Sequence, residues 1–353
     1  MCHLIYTDTF YMKRKWIRWV SWILLTPIIL FVILMVLLYV PPVQNLLRRE
    51  VTAYASKATG MQIQVERIDL RFPLNLLVRG VEVIQQPDTL LSLESLNVRV
   101  QAWPLIKGKV EVDEVTLSRV AVNSADLMEG MKIKGVLGRF FLQSHGVDLS
   151  NELAVINQVE LSDTHVQLLM NDTTTTPKDT TASAPINWKV ALHQLKLKNV
   201  SFSMQLPADS MRMAAHIGEA AIDDAQADLK NQYYDLKKFL LSGTSASYDT
   251  GTAQPAEGFD ASHIAVRDIR IALDSLLYKG RDMNAVIREF TMNERSGLSV
   301  TSLTGRAYSN DSVICVPGLK LNTPHSEIDL SAHTYWELVN IPTTGRLSAR
   351  LNA

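Results

Sequence analysis

The sequence predicts a mainly β protein: an N-terminal transmembrane helix, a short amphipathic helix, and then an elongated, curved antiparallel β-sheet that forms a groove. Three observations carry that expectation. An uncharged apolar run fills residues 20–40. Helical apolar spacing follows over residues 43–59. From Met61 onward the apolar period changes to alternation, interrupted at one recurring place.

The run Val20–Val40 matches the roughly 20 apolar residues that a helix needs to cross a bilayer core. Only Ser21, Thr26 and Pro27 interrupt its apolar character, and a membrane helix tolerates such residues. Lys13, Arg14, Lys15 and Arg18 flank its N-terminal side, with Trp16, Trp19, Trp22 and Tyr39 at interfacial positions. This charge bias places residues 1–19 in the cytoplasm and the bulk of the chain across the membrane, although Arg48, Arg49 and Lys57 on the far side weaken it. A cleaved secretion signal would have a shorter apolar core of about 7–15 residues and a small-x-small cleavage site. Leu38-Tyr39-Val40-Pro41-Pro42 offers none, so the run reads as an uncleaved signal anchor. Met1–Tyr11 read as an extension upstream of a natural start at Met12.

The chain has 353 residues, 35 Lys+Arg and 36 Asp+Glu, for a formal net charge of -1. This balance gives no basic footprint for nucleic acid. The two cysteines, Cys2 and Cys315, would lie on opposite sides of the membrane and so cannot pair. The domain after the anchor must then hold together by packing and strand pairing alone.

Pro41-Pro42 end the anchor, and residues 41–60 form a capping helix. Val43, Leu46, Leu47, Val51, Tyr54, Ala55 and Ala58 recur at helical spacing, with Gly60 as the stop. Residues 61–353 form the β-region. Turns are expected at Gly80, Pro87-Asp88, Leu105–Lys109, Pro207-Ala208-Asp209, Gly280 and Pro317-Gly318. Ser124–Gly130 and Val136–Leu142 read as short helices or loops over the sheet, and Asp228–Lys238 as a hairpin rather than a helix. Asn171–Pro185 is Thr-rich with nothing apolar to bury and reads as a disordered loop. Thr250–Gly258 is a shorter loop, and the chain ends at Leu347–Leu351 as if in mid-strand, as a truncated product would.

The most informative feature of the β-region is the pattern apolar-x-apolar-x-x-apolar-x-apolar. It occurs at Leu76, Val78, Val81 and Val83, and at Val115, Leu117, Val120 and Val122. It returns at Val159, Leu161, Thr164 and Val166, at Leu195, Leu197, Val200 and Phe202, and at Ile264, Val266, Ile269 and Ile271. A flat one-faced strand would alternate without a break, because a one-residue slip sends later side chains to the other face. A β-bulge absorbs the extra residue and bends the strand. The inserted pairs contain Gly80, Asp163, Asn199 and Asp268, which accept unusual backbone angles; Arg119 is the exception. The competing reading is two short strands joined by a tight turn each time. Either way, the recurrence implies stacked, irregular units.

No HExxH, GxSxG, P-loop or GxGxxG motif is present, and the histidines are scattered, so neither an enzyme nor a metal or cofactor is expected. A sheet with one apolar face must bury it against something, and few amphipathic helices follow Thr59. A second sheet, the sheet folding over itself, and an apolar ligand all remain open. If the ligand is an acyl chain, the groove is lined by Val81, Val83, Val115, Leu117, Val120, Val122, Val159, Leu161, Val166, Leu195, Leu197, Val200, Phe202, Ile264, Val266, Ile269 and Ile271.

The layout resembles the N-terminal part of TamB-like proteins of the AsmA-like superfamily. The residues that carry the resemblance are the anchor, the helix ending in Thr59-Gly60, and the strands Ile63-Gln64-Val65 and Leu76–Val83. Pro104-Leu105-Ile106-Lys107-Gly108-Lys109-Val110 leads into Val115–Val122, and Glu294–Val300 and Leu321–Ile328 extend the likeness. It covers nearly the whole chain from Met12, although nothing matches the family's distinctive C-terminal domain. The resemblance implies a groove anchored in the inner (plasma) membrane, with the bulk of the chain in the periplasm, passing phospholipids toward the outer membrane. It also implies an alternative role in assembling outer-membrane proteins with a barrel partner of the TamA/BamA type. A structural envelope domain with a sealed core is the third reading.

Overall fold

The computed structural model describes residues 39–72, 74–101, 103–104, 111–124, 130–148, 151–170, 187–336 and 346–352. The expected anchor, apart from Tyr39 and Val40, lies outside these residues, as do the expected turn at Leu105–Lys109 and the loop Asn171–Pro185. Of Ser124–Gly130, only the two ends are described. Among the described residues no helix is long and apolar enough to cross a membrane.

Helix α1 spans Pro41–Thr59. Pro in its first turn costs no hydrogen bond, because the first helical amides lack intrahelical partners anyway. Gly60 ends it at φ 71° and donates its N–H to Ser56 O at 2.9 Å. Sixteen strands follow: β1 (Gln62–Arg71), β2 (Asn75–Gln85), β3 (Asp88–Val100), β4 (Val112–Asn123), β5 (Met131–Asp148), β6 (Leu153–Met170), β7 (Lys189–Leu206), β8 (Met211–Asp228), β9 (Tyr233–Asp249), β10 (His263–Lys279), β11 (Asp282–Glu294), β12 (Ser299–Val300), β13 (Ser302–Ser309), β14 (Val313–Asn322), β15 (Glu327–Tyr335) and β16 (Arg346–Asn352). Among the described residues they form one long open sheet in sequence order, with β12 off the path and paired to β11.

The sheet is not antiparallel throughout. β6 and β7 pair in parallel, from Leu153↔Lys189 to Leu169↔Gln205. Parallel neighbours need a crossover of a dozen or more residues. The connection through residues 171–186 supplies that length, so the Thr-rich stretch changes the topology instead of merely interrupting it.

Three local expectations are corrected. Gly80 is not a turn but lies inside β2. Pro317-Gly318 lies inside β14, where the register to β15 shifts between Val316 and Leu319. Pro cannot donate to a ladder and is accommodated at such an irregularity. Val136–Leu142 belongs to β5 and pairs with β4 and β6; Gly135, Gly138 and the Phe140-Phe141 pair obscure its alternation. The hairpin reading of Asp228–Lys238 holds, with β8 and β9 meeting there.

The interrupted pattern is one continuous strand each time, not two strands and a turn. At the interruption, Gly80, Arg119, Asp163, Asn199, Gly243 and Asp268 all have φ between 47° and 59°. The register nevertheless stays constant across the first of these positions. Val65↔Val81 and Arg67↔Arg79 flank Gly80 and Glu66. Val120↔Leu137 and Ser118↔Arg139 flank Arg119 and Gly138. A single bulge would leave one residue unmatched; here the neighbouring strand carries its own extra residue, so the kinks line up in a column across the sheet. Because a left-handed residue reverses the alternation, the apolar residues before and after it fall on one face.

The column brings backbones close. A Cβ on Gly138 would lie 2.7 Å from Asp163 Cβ and 2.9 Å from Asp163 O. Polar partners bridge other positions: Asn199 Nδ2 donates to Asp163 Oδ1 at 2.8 Å, Asn293 Nδ2 donates to Asp268 Oδ2 at 3.2 Å, and Arg119 pairs with Glu94. Gly138→Ala should therefore cost about 1–3 kcal/mol in urea unfolding, the range for overpacking. Gly318→Ala, with nothing within 4 Å of the new carbon, should stay within about 0.5 kcal/mol.

Asp260 organises the connection from β9 to β10. Its carboxylate accepts the N–H of Ala256 at 3.1 Å and of Ser262 at 2.9 Å, and lies 2.9 Å from His263 Nδ1. The Ala256 amide foremost, then His263 and the Ser262 amide, hold the carboxyl down at about 2. A carboxyl depressed on folding adds stability above its unfolded value, and that stability is lost as pH falls through its folded value. The stability difference between the chain and Asp260→Asn, read by urea unfolding at pH 6, should close between about pH 4 and pH 2.

Candidate functional site

Directly opposed residues of neighbouring strands share a face of the sheet, so the register sorts the apolar side chains into transverse rows. One row runs Ile63, Val83, Leu91, Val122, Gly135, Val166, Phe202, Ala215, Ala246, Val266. A second runs Val65, Val81, Leu93, Val120, Leu137, Thr164, Val200, Ile217, and Ile269 stands beyond it, opposite Thr244. Past the kink column, a third runs Ile68, Val78, Leu96, Leu117, Phe140, Leu161, Leu197, Ala220, Leu241, Ile271. The fourth runs Leu70, Leu76, Val98, Val115, Leu142, Val159, Leu195, Ile222, Phe239, Leu273. Ile264 belongs to a shorter row with Tyr248, Met213, Met204, Leu168 and Ile133.

Every groove residue expected from sequence thus falls on one of these rows. None is buried: Val122 and Phe202 are exposed, and the others are half-buried. Phe140 and Leu142 join the rows unexpectedly, because Val136–Leu142 reads from sequence as loop or helix. Leu91, Leu93, Leu96 and Val98 of β3 also join them, although sequence reasoning missed their interrupted spacing. The sorting is not perfect, since Val136 and Leu240 are exposed on the opposite face.

Among the described residues no large side chain is fully buried. A closed sandwich of this many strands would have a core of such side chains, because interdigitated sheets pack about 10 Å apart and exclude water. Among the described residues the rows are accordingly an apolar surface without a covering layer.

Among the described residues, two hollows on the sheet stand out. One of about 320 Å³ lies where β6, β7 and β9 begin and β8 ends, against Ala154, Val190, Ala227 and Tyr233. The other, of about 690 Å³, is lined by Ser201, Ser203, His216, Ser245, Ser247, Arg267 and Arg295. Glu294 also borders it; hydrogen bonds from Ser296 foremost, and from Ala265, hold its carboxyl below the usual range. Ser201 Oγ lies 2.9 Å from His216 Nδ1. Both residues are in mid-strand, where backbone amides serve the ladder and form no oxyanion hole. Among the described residues no group of three or more His, Cys, Asp or Glu could hold a metal ion.

At one end of the sheet, α1 lies along β1, whose only strand neighbour among the described residues is β2. Gln44 Nε2 donates to Leu70 O at 3.0 Å, Arg48 Nη1 donates to Glu66 O at 2.6 Å, and Ser56 Oγ accepts the N–H of Ile63 at 3.0 Å. The helix thereby occupies an edge that would otherwise template another strand. The chain matches no protein-family model and no curated protein sequence.

Half-burial sets the cost of truncation. In a sealed core Leu→Ala costs about 2–5 kcal/mol. Leu197→Ala should cost less, about 1–2 kcal/mol in urea unfolding, because part of its surface stays in water in the folded state.

Proposed function

We propose that the chain is an inner-membrane-anchored periplasmic β-groove that carries phospholipid acyl chains between the inner and outer membranes. The observation that carries this reading is the set of apolar rows crossing ten consecutive strands, with no layer over them among the described residues. An acyl chain laid along such a surface gains about 0.8 kcal/mol per methylene removed from water. The apolar run at residues 20–40 supports single-pass anchoring, with the N-terminus cytoplasmic and the β-region on the far side. The protein has no catalytic role in this reading, needs no cofactor, and hands lipid to an acceptor at the outer membrane.

A second reading is assembly of outer-membrane proteins by strand addition, alongside a barrel partner of the TamA/BamA type. Its support is the outer edge of β16, which pairs with no strand among the described residues. The β1 edge does not serve it, since α1 lies there.

Photo-crosslinking amino acids at Leu117 and Val166, on the rows, and at Arg139 and Lys198, on the polar row beside the kink column that also holds Ser162 and Glu219, separate these readings. Phospholipid adducts should appear at the first two positions and not the last two. Their absence from Leu117 and Val166 would overturn lipid carriage. Under strand addition, proline substitutions in β16 should abolish function while lysines placed in the rows are tolerated.

A further inference from the structure

The rim of the sheet beside α1 has a composition that the groove itself does not require. α1 and β1 run in opposite directions, so the start of the helix meets the end of the strand, where Gln44 reaches Leu70 O. The ring of Tyr39 stands edge-on to Phe72, with centroids 6.5 Å apart. Phe72 is 85% exposed, and Trp103, on the next connection along the same rim, is 70% exposed. The two connections are tied together where Val100 donates its N–H to Leu74 O at 3.0 Å. Arg71, also exposed, adds a cation.

We infer that Tyr39, Arg71, Phe72 and Trp103 form an interfacial belt that seats this rim in the headgroup layer of the bilayer holding the anchor. Aromatic rings with one apolar body and one wet edge, accompanied by a long basic side chain, suit that layer. The chain's own continuity selects the occupant: the apolar run ends at Tyr39 and Val40, with Tyr39 within ring contact of Phe72. Seated there, the row containing Leu70, Leu76 and Val98 lies nearest the rim, and acyl chains reach it over Phe72 and Trp103 without crossing open water.

The inference rests on the anchored-groove reading, and its test separates the two. Single cysteines at Phe72→Cys, Trp103→Cys and Phe259→Cys, in the full chain with Cys2→Ser and Cys315→Ser, carry an environment-sensitive fluorophore. Phe259, 65% exposed in the connection from β9 to β10, is the control on the opposite rim. The chain is reconstituted in phosphatidylethanolamine–phosphatidylglycerol vesicles bearing headgroup-region nitroxide lipid. Labels at 72 and 103 should be blue-shifted and quenched severalfold more than the label at 259. Labels at 72 and 103 that match the one at 259 overturn the belt, even where lipid still crosslinks at Leu117. Quenching at 72 and 103 without crosslinks at Leu117 supports the belt and removes the lipid-carrying groove.

Discussion

A strand alternates its side chains between two faces, and that geometry constrains a one-faced sheet of long strands. Seventeen or eighteen residues of unbroken alternation, as β5 to β10 would otherwise have, favour a nearly straight ribbon. The left-handed residues at Gly80, Arg119, Asp163, Asn199, Gly243 and Asp268 relax the constraint. Each consumes one residue, turns the strand, and returns the apolar set to the face it started from. From β1 to β9 neighbouring strands spend their extra residue at the same level, so pairing resumes in register on both sides, whereas at Asp268 the register to β11 shifts. Asp224, at φ 53° in β8, repeats the device closer to the end of that strand. The local adjustment thus becomes a property of the sheet from β1 to β10.

Backbone strain at these positions is of modest size, and the residues chosen reduce it. Gly has no penalty, and Asp and Asn accept the left-handed region more readily than other residues. Arg119 lacks that advantage, and its exposed ion pair with Glu94 offsets little, since such pairs are worth about 0–1 kcal/mol. Its position is dictated by the column on either side of it, from Gly80 in β2 and Asp163 in β6.

Much of this was legible in the sequence. A spacing of three between Val78 and Val81, or between Leu197 and Val200, leaves a one-faced strand only two options: an added residue or a break. Helix α1, its Gly60 stop and the hairpin at Asp228–Lys238 were legible for a related reason: a local period and a turn residue specify each. The parallel pairing of β6 with β7 was not, since a polar connection looks alike whichever way the next strand runs. β5 was hidden because Gly135 puts no side chain where the pattern needs one and Phe141 adds an apolar residue off the rows, while close backbone approach at the kink column requires Gly138. The clustering of Tyr39, Phe72 and Trp103 at one rim was not legible either. The antiparallel course of α1 and β1 brings Tyr39 to Phe72, and the order of β1 to β4 brings Trp103 to the same rim.

The lack of a covering layer among the described residues links fold to function. A sheet stabilised mainly by its ladders leaves its apolar rows as a standing cost in water, and contiguous exposed apolar surface of this kind marks a binding site or an aggregation hazard. An occupant resolves the cost in proportion to its affinity. A ligand that binds only the folded state at 100 times its dissociation constant adds about 2.7 kcal/mol, comparable to fully burying one or two large side chains. On the proposed reading the half-buried rows suit a cargo that comes and goes, since a permanent apolar layer would stabilise the sheet more and leave no surface for one.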